Sequence, residues 1–69
     1  MIPAHRLIRV LKKAGFVIIR QRGSHVALRH IEKNLTTYIS QHPGNIKKGL
    51  FKAILKQAHI SEDEFRKLL

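Results

Sequence analysis

The residues best suited to chemistry stand together in Gln21-Arg22-Gly23-Ser24-His25, a basic turn ending in a histidine. Gly23 can take a positive φ without a Cβ clash, so backbone amides there can turn towards an anion and approach it closely. Ser24 adds a hydroxyl, and His25 adds an imidazole, a group that gives or takes a proton near neutral pH. Turn, hydroxyl and imidazole together suit a phosphate. The cations Arg20, Arg22 and Arg29 flank His25 in sequence, where they can hold phosphates near the turn or simply line a solvated strand face. Lys48, Lys52 and Lys56 form a second row at i, i+4 and i+8 spacing, either as further phosphate contacts or as a solubilising helix face.

The elements that must position these groups can be read in order. Pro3 suits the first turn of a helix, and Leu7, Ile8, Leu11 and Ala14 recur at helical spacing opposite Arg6, Arg9, Lys12 and Lys13. Gly15 is a natural stop, so the first helix is expected over roughly residues 3 to 14. Phe16 to Ile19 is a short β-branched run bounded by glycine, which predicts a strand. From His25 to His30 the pattern alternates, with Val26 and Leu28 on one face and His25, Ala27 and Arg29 on the other. Glu32-Lys33-Asn34 makes a polar hairpin tip, and Leu35 to Ser40 reads as an exposed third strand. Gln41-His42-Pro43-Gly44-Asn45 breaks regular structure through its Pro-Gly pair. Leu50, Phe51, Ile54, Leu55 and Ala58 then form the apolar stripe of a helix running from about residue 47 to 58. Ser61-Glu62-Asp63-Glu64 is a capping box that opens a short last helix, with Ile60 and Phe65 placed for a hydrophobic staple. The order α-β-β-β-α with an extra terminal helix predicts an α+β sandwich. Its helices cover one face of a three-stranded antiparallel sheet, as in double-stranded-RNA-binding domains.

Composition narrows the partners. The chain has 69 residues, which fits a single domain over residues 1–69, too small for a deep substrate cavity. Any site should be shallow, suited to a polymer or to the surface of another protein. Fourteen Lys and Arg face four Asp and Glu, a net charge of +10, and no acidic residue precedes Glu32. That imbalance is the electrostatic footprint of a nucleic-acid binder, and an acidic protein would satisfy the same field. Membrane binding is not expected, because the cations are not confined to one helix face opposite an aromatic one. With no cysteine there is no disulfide, zinc ribbon or thiol nucleophile, and no histidine pair shows metal-ligand spacing on a helix. Without a signal-peptide segment or a membrane span, the expected location is the cytoplasm.

Leu11-Lys12-Lys13-Ala14-Gly15-Phe16, Arg20 to His25, His42-Pro43-Gly44, Lys48-Gly49-Leu50, Ile54 to Ala58 and Ile60 to Phe65 together cover nearly the whole chain. In their order and spacing these stretches resemble the HicA (YcfA-like) mRNA interferase toxins. Where that family usually carries Gly-Thr-Leu-Arg, this chain reads Gly49-Leu50-Phe51-Lys52, keeping the glycine and a cation but not the hydroxyl or the arginine. The resemblance implies a metal-independent endoribonuclease acting on mRNA with no cofactor, neutralised by an antitoxin of the HicB type. It also implies that His25 is the catalytic residue.

RNA cleavage by internal transfer needs a base for the 2′-hydroxyl, charge stabilisation at the phosphate and an acid for the leaving 5′-oxygen. His25 is the candidate for the base or the acid. A second group is wanted, and His42, His30, Tyr38 and Lys52 are candidates that spacing alone does not place near His25; His30 should point to the opposite face. Arg20, Arg22, Gly23, Ser24, Arg29, Lys48 and Lys52 are the expected RNA contacts. The rival readings are a catalytically inert RNA-binding module of the same fold, and a DNA-binding domain that uses the lysine-rich helix. The central strands do not suit the latter.

Overall fold

Pro3 sets the entry of the first helix by staying outside it. Its φ of −65° and ψ of 147° are extended, and Pro3 pairs with Asn45 while Ile2 pairs with Ile46. The computed structural model describes residues 1–41 and 44–69, so the expected break at His42-Pro43, with His42 as a candidate second group, lies outside the described residues. In chain order the elements are β1 (Ile2–Pro3), α1 (Ala4–Lys13), β2 (Val17–Arg22), β3 (His25–His30), β4 (Leu35–Ser40), β5 (Asn45–Ile46), α2 (Lys48–Ala58) and α3 (Glu62–Leu68). Strands β2, β3 and β4 form an antiparallel sheet in that order, and β1 and β5 form a separate two-stranded ribbon. The ribbon has no counterpart in the sequence reading, because two-residue strands carry no periodic signal.

One face of the sheet is covered. Val26, Leu28 and Ile39 from the strands share a core with Leu7, Leu11, Phe51, Ile54 and Leu55 from the helices. Each fully buried side chain of this size contributes about 1.5–3 kcal/mol. Phe51 and Phe65 meet edge to face with centroids 4.8 Å apart, which seats α3 on α2. This is the α+β sandwich expected, a three-stranded antiparallel sheet with helices on one face and an extra C-terminal helix. Leu50 departs from expectation. It is 54 % exposed, because the buried stripe of α2 is set by Phe51, Ile54, Leu55 and Ala58 and leaves Leu50 outside it.

Helix ends explain how the chain is delivered to the sheet. At the end of α1 the Gly15 N–H donates to Lys12 O at 3.1 Å and the Phe16 N–H to Leu11 O at 2.9 Å, a Schellman motif with Gly15 at φ +105°. Phe16 is thereby driven into the core just before β2 begins. A Cβ on Gly15 would also stand 2.7 Å from Nε2 of His30, so the close packing of that ring needs glycine here. At the start of α3, Ser61 Oγ accepts from the Glu64 N–H at 3.1 Å, as the capping box predicts. Lys13 Nζ donates to Leu68 O at 3.1 Å and ties the end of α1 to the end of α3.

Candidate functional site on the open face of the sheet

β2 is longer than the apolar run suggests. It begins at Val17, after the buried Phe16, and continues through Arg20, Gln21 and Arg22. The basic turn therefore shrinks to Gly23 and Ser24, with Arg22 and His25 as the last paired residues on either side. The apolar run ends at Ile19 and composition assigns Gln21 and Arg22 to the turn, but an edge strand open to solvent needs no apolar alternation to continue. Gly23 takes φ +59° at the first of the two turn positions, where a two-residue hairpin of this kind calls for glycine, and open space surrounds it. Ser24 O accepts from the Gln41 N–H at 2.6 Å, so the turn is pinned to the chain leaving β4.

The register decides which side chains share a face, since directly paired residues point the same way. Arg22, His25 and Ser40 form one row, Arg20, Ala27 and Tyr38 the next, and Val17, Arg29 and Thr36 a third. All stand on the face opposite the helices, because Val26, Leu28 and Ile39 fill the other one. A register shift between Ile18 and Arg20 brings Arg20 level with Ala27. The outcome is a shallow depression of about 210 Å³ lined by Arg20, Arg22, His25, Val26, Ala27 and Tyr38.

Of the expected site residues, the fold brings together Arg20, Arg22, Gly23, Ser24 and His25. It also brings in Tyr38, one of the candidates for the second group, which is 68 % exposed and opposite Ala27. A signal for Tyr38 exists in the sequence. Closing the hairpin over Ile31 to Asn34 sets His30 opposite Leu35, and counting back sets Ala27 opposite Tyr38. Arg29 lies on the same face but is engaged elsewhere, its guanidinium donating to Thr36 Oγ1 at 2.6 Å and to Asn34 Oδ1 at the hairpin tip. Lys48 opens α2, and Lys52 lines a cleft with Lys56, Ile60, Ser61 and Glu62 between α2 and α3, away from the depression. His30 points to the helix side as expected. It packs edge to face on Phe16 with centroids 5.4 Å apart, and its Nδ1 accepts from the Lys33 N–H at 3.2 Å. Ser40 Oγ, in the row of His25, is buried and has no hydrogen-bond partner among the described residues.

These features define a small, strongly basic α+β domain whose helices hold the sheet from one side and leave a cationic, histidine-bearing surface on the other. The family model described as HicA toxin of bacterial toxin–antitoxin systems matches residues 4–60. The chain therefore belongs to the HicA toxin family, and that membership implies a cognate antitoxin. No curated protein matches it. Among the described residues, no helix is long and apolar enough to cross a membrane.

Proposed function

We propose that this protein, acting as a single domain, is the toxin of a toxin–antitoxin pair and cleaves mRNA as an endoribonuclease with His25 in proton transfer. The observation that carries the reading is the convergence of His25, Arg20 and Arg22 around an open depression beside the Gly23-Ser24 turn. A shallow site bordered by cations suits a polyanionic chain rather than a small molecule.

The chemistry follows from those groups. The 2′-oxygen of one nucleotide attacks its own 3′-phosphorus, the bond from phosphorus to the next 5′-oxygen breaks, and a cyclic phosphate and a 5′-hydroxyl result. His25 takes the proton of the 2′-hydroxyl or gives one to the departing 5′-oxygen. Arg20 and Arg22 stabilise the charge that builds on the phosphoryl oxygens, and the amides of the Gly23-Ser24 turn can contribute to the same end. Lys48, Lys52 and Arg29 belong to the wider basic surface that would track the RNA backbone. A HicB-type antitoxin would silence such an enzyme by laying an acidic surface over the open face in the cytoplasm, where mRNA is met.

The test is a denaturing-gel assay on an mRNA in EDTA, comparing the protein with His25→Ala. Cleavage that persists in EDTA and is lost in the variant, with RNA binding retained, is the expected result. RNA binding without cleavage by the unaltered protein would mean an inert binding module instead.

A further inference from the structure

We infer that Tyr38 and Ala27 form a subsite for one unstacked nucleobase, so that the RNA accepted here is single-stranded at the point of cleavage; this rests on the function proposed above. Tyr38 takes no part in the core and exposes 68 % of its surface at the centre of a basic face. It stands directly opposite Ala27, with Arg20 opposite Ala27 on the other side. Ala27 carries only a methyl group, and that short side chain between two long ones makes the depression. Its floor is apolar and one wall is an aromatic ring. The opposite wall is a guanidinium, itself able to lie flat against a π system.

His25 is two residues before Ala27 on β3, diagonal to Tyr38, a relation that sets the two residues about 7–8 Å apart across neighbouring strands. A base resting on Tyr38 thus has its own sugar and phosphate carried towards His25, Arg22 and the Gly23-Ser24 turn. Duplex bases are stacked on both faces and cannot enter such a subsite, whereas a base in a loop or an open strand can. Stacking is nearly blind to base identity, so the subsite selects for strand state before sequence. The helical layer, which faces away, has no part in it.

The experiment uses the full chain carrying His25→Ala, so that RNA is not consumed, and a short labelled single-stranded oligoribonucleotide followed by fluorescence anisotropy. Adding Tyr38→Ala is expected to weaken binding roughly 5- to 150-fold, the equivalent of stacking one base. Tyr38→Phe keeps the ring and should stay within about twofold of the parent. An abasic nucleotide walked along the oligonucleotide should reproduce the loss at one position, and that position should cease to matter once Tyr38 is alanine. Equal binding with and without Tyr38→Ala, or a uniform effect of the abasic site at every position, overturns the subsite alone. Failure of every variant and of the unaltered protein to bind RNA overturns it together with the nuclease reading. Unchanged far-UV circular dichroism confirms that the variants are folded.

Discussion

Ser40→Ala should make this protein more stable. Ser40 Oγ is buried and lacks a hydrogen-bond partner among the described residues, and a buried hydroxyl left unsatisfied costs about 1–3 kcal/mol. Alanine removes the oxygen while keeping the Cβ and the strand. Because Ser40 as a whole is only half-buried, the lower end of that range applies, a gain of about 1 kcal/mol. For a domain of this size such a gain raises the melting temperature by about 4–8 °C. With a urea m-value of about 1 kcal/mol/M it moves the midpoint up by about 1 M. Urea titration followed by far-UV circular dichroism reads this directly. A midpoint that falls would refute the reasoning, since it would mean that the hydroxyl is satisfied and that its bond was lost. Cleavage measured on the same samples has a separate meaning. Ser40 is paired with His25, and orphan polar groups near a site are retained where function uses them. A rate that drops as stability rises would identify the oxygen as a support for the imidazole.

Two glycines should rank in a fixed order. Gly15→Ala is expected to cost about 1–3 kcal/mol, from the left-handed backbone and the His30 ring beyond it. Gly23→Ala meets open space and should cost only the conformational part, about 1–2 kcal/mol, in the same thermal melts. His59 ends α2 at φ +55°, so His59→Gly should gain about 0.5–1 kcal/mol, the relief of that strain less the extra entropy of the unfolded glycine. For RNA, Arg22→Ala should lower the slope of log affinity against log salt by about 0.7, one phosphate contact on a single strand, while Lys52→Ala leaves it unchanged for an oligonucleotide short enough to span only the depression.

Where local chemistry decides the structure, the sequence was readable. Val26 and Leu28 alternate because one face of β3 is dry, the Gly15 stop is imposed by a backbone angle, and Ser61 caps because its oxygen reaches the Glu64 amide. The site was readable in its nucleus, Gly23-Ser24-His25, but not in its surroundings. The apolar run stops at Ile19, and Arg22 reads as part of the turn, because an exposed edge strand shows no hydrophobic period. Proximity in sequence makes Arg29 an expected RNA contact but does not show that Thr36 and Asn34, from the next strand and hairpin, hold its guanidinium. Tyr38 became a neighbour of His25 only through register, which depends on two turns at once.

The sheet works as a partition between two sets of obligations. Nearly everything that holds the chain together lies on the helix side, and the residues proposed to act lie on the other. Substitutions of Arg20, Arg22, His25 or Tyr38 should therefore leave folding almost untouched. A lineage could then lose, soften or redirect its toxicity by single steps and keep an intact molecule for its antitoxin to hold. In the laboratory the same separation allows a graded series of attenuated variants, all equally folded, in which harm to the cell can be set against catalytic rate alone.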